Sequence, residues 1–230
     1  EGKPFVLMQD EETLNDYCVN TDDFFGGYTA AAHLLSTGRK KIAFAGEPFN
    51  LKAIENRYLG FKKALEEKEA GRKDNVFVVD DAADKFSCGL ILGEKIADSD
   101  FDGVFCTSDV IALGVIRALH EKKIKVPDDV AVVGYDDIPV AKLTTPGLTT
   151  ITQPSEKMAN LCVENVIKLI NGEEVGKTAV LKPKLTIRET TEKKGEKLCI
   201  FADLMWEPRV LKRLLWMKKE KLPLHLTRGM

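Results

Sequence analysis

The feature of this sequence that most constrains its fold is an alternation of short apolar runs and helical segments between residues 41 and 137. Four apolar runs lie within 41–46, 75–81, 103–109 and 130–137, and they do not alternate with polar residues. Between them, apolar residues recur every three or four positions, which is the spacing of one helix face. Unbroken apolar strands separated by helices predict a parallel sheet that is covered on both faces and connected by right-handed crossovers. We therefore predict a doubly wound α/β fold.

Polar residues follow each of these apolar runs. The carboxyl ends of parallel strands meet at one edge of a sheet, and ligands of open α/β sheets bind outside that edge. The sequence therefore predicts a polar ligand site at this rim. Helix capping and turn formation are the competing explanation for any single acid, and we expect capping for Asp109. The rim residues are Glu47, Asp80, Asp81, Thr107, Ser108, Asp109, Asp136 and Asp137.

The flanking segments predict a second, smaller lobe. Two short strands are expected at 4–8 and 17–20, followed by a helix that is capped by Asp22 or Asp23 and closes at Gly38, and a strand, a helix and a final strand follow residue 146. These pieces need another sheet to join, so we predict two lobes that are linked by crossing segments. We assign 1–38 to a remnant of the N-terminal lobe, 39–145 to the α/β core of the C-terminal lobe, 146–176 to a returning segment of the N-terminal lobe, 177–192 to the final strand of the C-terminal lobe, and 193–230 to a basic tail.

Composition and patterning exclude several classes of protein. No apolar run approaches the roughly 18 residues of a membrane span, and residues 1–10 lack the pattern of a signal peptide, so we expect a cytoplasmic protein without membrane contact. The five cysteines and three histidines are scattered and show no metal-ligand spacing. We expect buried thiols, no metal and no cofactor.

Charge separates the tail from the rest of the chain. Residues 193–230 contain ten Lys and Arg against four acids, whereas residues 1–192 contain 24 basic and 32 acidic residues. The acidic body is a poor phosphate-binding surface. Apolar residues from Val210 to Met217 predict a basic amphipathic helix in the tail, and an extension without an evolved role is the alternative.

Several motifs resemble one known family. The segments VNTDDFFGGYTAAAHLLSTGRKKIAFAGEP, NRYLGFKKAL, FDGVFCTSDVIALGVIRAL and VAVVGYDDIP, with TTPGLTTITQP after them, stand in this order within residues 4–192. Together they resemble the effector-sensing domain of the lactose and galactose repressor (LacI/GalR) family. The resemblance implies a type I periplasmic-binding-protein-like fold, which has two lobes of parallel sheet flanked by helices. It also implies that the first lobe of this chain is incomplete.

The resemblance also assigns roles to individual residues. Arg57 and Asp136 match ligand-binding positions of the family, and an arginine fork beside a carboxylate offers matched donors and acceptors for adjacent hydroxyls. The stacking aromatic of the family falls on Asp84 here, and Phe86 is near it but out of register. The predicted ligand-binding residues are Arg57, Asp136, Gln153 and Ser108, with Phe86 and Tyr135 as further candidates for the cleft.

The implied function is the sensing of a small-molecule effector, a sugar or a nucleobase-type ligand, by a homodimeric transcriptional regulator. The resemblance implies that DNA is bound only through a helix-turn-helix headpiece that is absent from this chain. A solute-binding protein of a sugar transporter shares the fold and is the alternative. We expect no enzyme and no catalytic residue, because adjacent side chains such as Asp136 and Asp137 tend to point apart and the sequence has no G-x-S-x-G, P-loop or H-E-x-x-H motif.

Overall fold

The computed structural model describes residues 3–9, 17–68 and 75–192, all within one compact unit, Glu1–Lys194. These residues form nine strands, five α-helices and a short 3-10 helix at Pro139–Lys142. The strands are β1 (Leu7–Met8), β2 (Cys18–Thr21), β3 (Ile42–Gly46), β4 (Val76–Val78), β5 (Gly103–Cys106), β6 (Ala131–Asp136), β7 (Thr149–Thr152), β8 (Thr178–Leu181) and β9 (Lys184–Thr186). The helices are α1 (Asp23–Ser36), α2 (Lys52–Glu67), α3 (Lys85–Ala97), α4 (Asp109–Glu121) and α5 (Ser155–Ile170).

Two sheets organise these elements. The large sheet has the strand order β4-β3-β5-β6-β7-β9, in which β4 to β7 are parallel and β9 is antiparallel to β7. The small sheet has the order β1-β2-β8 and is parallel. The predicted α/β fold with two parallel sheets is confirmed.

The large sheet is covered by helices on both faces. Successive residues of a strand point to opposite faces, and β3 shows this division: Ala43 and Ala45 face one apolar cluster, whereas Ile42 and Phe44 face the other. Helices α3 and α4 complete the first cluster, and α1 and α2 complete the second. The apolar runs at 41–46, 103–109 and 130–137 are thus unbroken because both of their faces are buried.

The chain crosses repeatedly between the two sheets. Several elements belong to a different sheet from the one that the expected boundaries gave them. Helix α1 packs on the large sheet, although we assigned 1–38 to the other lobe. Strand β7 is likewise a member of the large sheet, although 146–176 was assigned as the returning segment of the N-terminal lobe. Strand β8 pairs with β2 in the small sheet, so only β9 of the 177–192 segment joins the large one. Strand pairing, which is not local in sequence, decides these memberships.

Of the described cysteines, Cys18, Cys88 and Cys106 are buried and Cys162 is half-buried, and all four are free thiols. Cys199 and the predicted tail helix lie outside the described residues. No helix within the described ranges has the length and apolar character needed to cross a bilayer.

Candidate functional site

The side chains predicted to bind a ligand meet where the strands of the large sheet end and the small sheet begins. Asp136 is the last residue of β6, Gln153 follows β7 directly, and Arg57 reaches this edge from α2. Thr21, the last residue of β2, brings the small sheet to the same place through its hydrogen bond to Gln153. Asp136, one of the expected rim residues, therefore lies beside polar side chains from both sheets.

Arg57 is held rigidly in a buried position. Its Nε donates to Asp23 Oδ1 over 2.8 Å, and its Nη1 donates to the backbone carbonyl of Thr107 over 2.8 Å. The guanidinium carbon lies 3.7 Å from the centroid of the Tyr135 ring, so the cation also stacks on an aromatic face. Only 8% of Arg57 is exposed. A guanidinium that is fixed by three neighbours is already oriented before any ligand arrives.

Two glycines bring Asp23 and Arg57 together. Helices α1 and α2 cross so closely that a Cβ at Gly27 would lie 1.9 Å from the carbonyl oxygen of Arg57. A Cβ at Gly60 would likewise lie 1.9 Å from the carbonyl oxygen of Phe24. Because neither glycine has a side chain, the two helices approach closely enough for Asp23 of α1 to reach Arg57 of α2.

Tyr135 is fully buried and does not line an open cleft. Its hydroxyl donates to Asp23 Oδ1 over 2.8 Å, so Asp23 accepts from both Tyr135 and Arg57. Burial raises the pKa of Tyr135 well above its ordinary value, and the phenol is therefore a neutral donor. Tyr135 thus lies beneath Arg57 and supports it from the core side.

Asp136 occupies a strained backbone conformation at the end of β6. Its φ is 111° and that of Asp137 is 58°, in the region that side-chain-bearing residues rarely adopt. Burial raises the pKa of Asp136, while Arg57 and the hydrogen bond from Gln153 act in the opposite direction. Strained backbone of this kind typically costs about 1–3 kcal/mol per residue and clusters at functional sites.

Gln153 connects Asp136 to the small sheet. Its Nε2 donates to Asp136 Oδ1 over 2.7 Å, and its Oε1 accepts from Thr21 Oγ1 over 3.0 Å. Gln9, which follows β1, also donates to Gln153 Oε1. The amide of Gln153 is therefore a polar bridge across the junction of the two sheets.

Ser108 and Phe86 take other positions than expected for ligand contacts. Ser108 is the N-cap of α4, where its side chain accepts from the amide of Ile111 over 3.4 Å. Phe86 lies in the first turn of α3 and is 41% exposed. Asp84, at the position where the family has its stacking aromatic, caps α3 by accepting from the amide of Ser87. The structure thus brings together Arg57, Tyr135, Asp136 and Gln153, but not Phe86.

Asp23 is the residue of this cluster that sequence reasoning missed as a partner. The acids Asp22 and Asp23 were expected only as alternative caps for the helix that follows. Asp22 is the cap, since its Oδ1 accepts from the amide of Phe25, and Asp23 one residue later turns inward to Arg57. The doubled acid directly after a strand was the available signal.

A cleft of about 380 Å³ opens at the same edge of the large sheet. It lies between the segment after β3 and the segment after β4, and Ile54 of its wall precedes Arg57 by one helical turn. Lys85 on its rim forms a 3.3 Å ion pair with Glu47 and lowers the pKa of Asp136. No group of three or more metal-ligating side chains occurs among the described residues.

The arrangement defines a two-sheet α/β protein with a cluster of polar side chains at the junction of its sheets, and comparison with known proteins identifies the family of this fold. A family profile described as a periplasmic binding protein-like domain matches residues 31–191. The chain belongs to this family and, within it, to the sensor domains of LacI-family transcriptional regulators.

Three relatives illustrate the match. The HTH-type transcriptional repressor PurR of Haemophilus influenzae is 32% identical over 198 residues, which are 82% of this chain and 57% of the repressor. The chain therefore spans somewhat more than half the length of that relative. A LacI family regulator from Enterococcus faecium with bound ribose has a TM-score of 0.74 at 30% identity, over 81% of this chain and 70% of that one. A periplasmic binding protein/LacI transcriptional regulator from Alkaliphilus metalliredigens, complexed with D-xylulofuranose, has a TM-score of 0.72 at 31% identity, over 83% and 71%.

Proposed function

We propose that these residues form the effector-binding site of a transcriptional regulator, and that the effector is a small polyhydroxylated molecule such as a sugar. The observation that carries the proposal is the meeting of Arg57 and Asp136 at the edge where the two sheets adjoin. Arg57 presents donors in a fixed orientation, and Asp136 presents acceptors. Neighbouring hydroxyls of a sugar need both, and hydrogen bonds to charged groups are about twice as strong as neutral ones.

A ligand bound at this junction would also affect how the two sheets are arranged relative to each other. Gln153 already joins Asp136 of the large sheet to Thr21 and Gln9 of the small sheet. A ligand that replaces or extends these bonds binds one arrangement of the sheets better than another, and only such a difference in affinity can shift a conformational equilibrium. In the proposed regulator, this shift is the signal that reaches the DNA-binding function.

The ligand site supports binding more than catalysis. Asp136 hydrogen-bonds to Gln153, whereas Asp137 pairs with Arg188 over 2.7 Å and accepts from Thr152. The two adjacent carboxylates thus have separate partners and do not face each other across a bond to be cleaved, as those of glycosidases do. Long incubation of the protein with a bound sugar should return that sugar unchanged, and steady consumption would contradict this part of the proposal.

Calorimetric titration of the protein with a panel of sugars, nucleobases and nucleosides tests the proposal. We expect at least one member to bind, and we expect Arg57→Ala and Asp136→Asn each to weaken that binding by about 2–4 kcal/mol, because buried polar partners lose their match. Arg117→Ala is the control, since Arg117 forms an exposed ion pair with Glu121 on the outside of α4. A folded protein that binds no member of the panel, or two variants that bind as the wild type does, would refute the assignment.

We further propose that the regulator acts in the cytoplasm, where its DNA is, and that it is a homodimer. The names of the relatives as transcriptional repressors and regulators support the first point. Light scattering coupled to gel filtration gives the mass in solution, and a mass near twice 25.6 kDa is the expected result. A monomer across micromolar concentrations would contradict the dimer.

A further inference from the structure

Asp109 is a buried acid that does not cap a helix, although we expected it to do so. Ser108 caps α4, and Asp109 is the first residue of that helix, with no exposed surface. Its carboxylate turns inward instead. Oδ2 accepts from the backbone amide of Ile138 over 2.8 Å, and Oδ1 accepts from the hydroxyl of Thr150 over 2.5 Å.

These two hydrogen bonds lie on either side of Asp136. Ile138 follows Asp136 by two residues, and Thr150 on β7 is paired with Gly134, which precedes Asp136 by two residues. The carboxylate also packs directly against the strand, since a Cβ at Gly134 would lie 2.2 Å from Asp109 Oδ1. One buried side chain therefore bonds the backbone after Asp136 and packs against the backbone before it.

The backbone between these two points needs such support. Asp136 and Asp137 both have positive φ, which costs about 1–3 kcal/mol each and persists only where the surroundings enforce it. Asp137 is anchored through its side chain by Arg188 and Thr152. The amide of Ile138, which closes this strained turn, is held by Asp109.

We propose that Asp109 is a positioning residue of the effector site, which fixes the turn at Asp136–Ile138 so that the Asp136 carboxylate faces Gln153 and the ligand. The inference rests on the proposed function only in naming Asp136 as the acid that binds the effector. Asp109 itself does not touch the ligand, and it acts through the backbone of its neighbours.

The protonation state of Asp109 gives this role a signature. The pKa of Asp109 is raised to about 7, chiefly by burial and also by the charges of Asp136 and Asp137, while the hydrogen bonds from Thr150 and Ile138 oppose the rise. Among the described residues, the Cys106 thiol on β5 also interacts with Asp109, and its own pKa is raised by burial and by Asp109. Around the turn, Arg188 pairs with Asp137, and Arg57 and Lys85 act on Asp136.

A protonated Asp109 can keep both contacts by donating from Oδ1 to Thr150 while Oδ2 accepts from Ile138. Asparagine can do the same without titrating, because its amide offers one donor and one acceptor. Asp109→Asn should therefore preserve the turn and abolish its pH dependence, whereas Asp109→Ala should release it.

The test is a pH titration of the unliganded 230-residue chain between pH 5 and 9, followed by nitrogen-15 NMR. In the wild type, the Ile138 amide shift should titrate with a midpoint near 7, the pKa of Asp109. In Asp109→Asn the shift should be flat and the hydrogen-exchange protection of Ile138 retained. In Asp109→Ala that protection should fall at least about tenfold, while amides of β5 stay protected.

Two further variants keep the test decisive if the alanine variant does not fold. Thr150→Val removes a hydrogen bond that lowers the pKa of Asp109, so it should move the Ile138 midpoint upward. Asp129→Asn, which alters an exposed side chain that accepts from the Lys125 amide, should leave the midpoint unchanged. Retained Ile138 protection in a folded Asp109→Ala, loss of that protection in Asp109→Asn, or a midpoint that Thr150→Val leaves in place would overturn the positioning role. None of these results depends on an effector, so the calorimetric test of the proposed function stands separately.

Discussion

Replacing Asp23 by alanine tests whether the buried ion pair holds Arg57, the arginine of the proposed effector site. The Arg57 and Asp23 side chains are 9% and 8% exposed and lie 2.8 Å apart, so neither is stabilised by water once its partner is removed. Removing one member of a buried pair typically costs about 3–5 kcal/mol, because a buried charge is left uncompensated. The hydroxyl of Tyr135 loses its acceptor in the same substitution. We therefore expect Asp23→Ala to lower the free energy of unfolding by about 3–5 kcal/mol.

Equilibrium unfolding in urea at pH 7 measures this loss, and the chain offers a matched control. Arg117 and Glu121 form an ion pair of the same kind, from Nε to a carboxylate oxygen over 2.7 Å, but their side chains are 62% and 55% exposed. Glu121→Ala should therefore cost less than about 1 kcal/mol. Asp23→Asn should fall between the two, because its amide keeps an acceptor but no charge. Equal costs for Asp23→Ala and Glu121→Ala would refute the reasoning from burial.

Two further predictions concern packing and pH. Gly60→Ala should destabilise the protein by about 1–3 kcal/mol or more in the same urea assay, because its Cβ would collide with the Phe24 backbone. Gly176→Ala is the control: a Cβ there would meet no neighbouring atom within 4 Å, so stability should change by less than about 0.5 kcal/mol. Similar losses in the two variants would contradict the close crossing of α1 and α2. Asp109 should make the free energy of unfolding depend on pH, because folding raises its pKa from 3.8 to about 7. Its stabilising contribution is therefore present below about pH 4 and is lost as the pH rises to about 7. At about 1.4 kcal/mol per pKa unit this amounts to about 4 kcal/mol, and the stability difference between Asp109→Asn and the wild type should grow by that order across this range; a constant difference would contradict it.

The sequence predicted the large sheet better than the small one. Strands β3, β5 and β6 are buried on both faces, so their apolar runs carry a local signal that needs no knowledge of their partners. Strand β8 has alternately exposed residues and pairs with β2, which lies about 160 positions earlier in the chain. Such a pairing is set by the tertiary fold, and for this reason the boundary at residue 177 differed from the observed one.

The site was predictable in its location and less so in its internal contacts. The rim argument and the family resemblance together indicated Arg57, Asp136 and Gln153, which meet in the structure. The roles of adjacent polar residues depend on the residue at which the helix begins. Ser108 is the cap of α4, so Asp109, which was expected to cap, points into the core instead. Local preferences of Asp and Ser for caps do not decide which of two adjacent residues occupies the cap.

The most direct measurement is a crystal structure of the protein in complex with the tightest-binding compound of the calorimetric panel. We expect density for that compound at the junction of the two sheets, with its hydroxyls within hydrogen-bond distance of both the Arg57 guanidinium and the Asp136 carboxylate. A compound bound at another surface, while Arg57 and Asp136 keep only their protein partners, would contradict it.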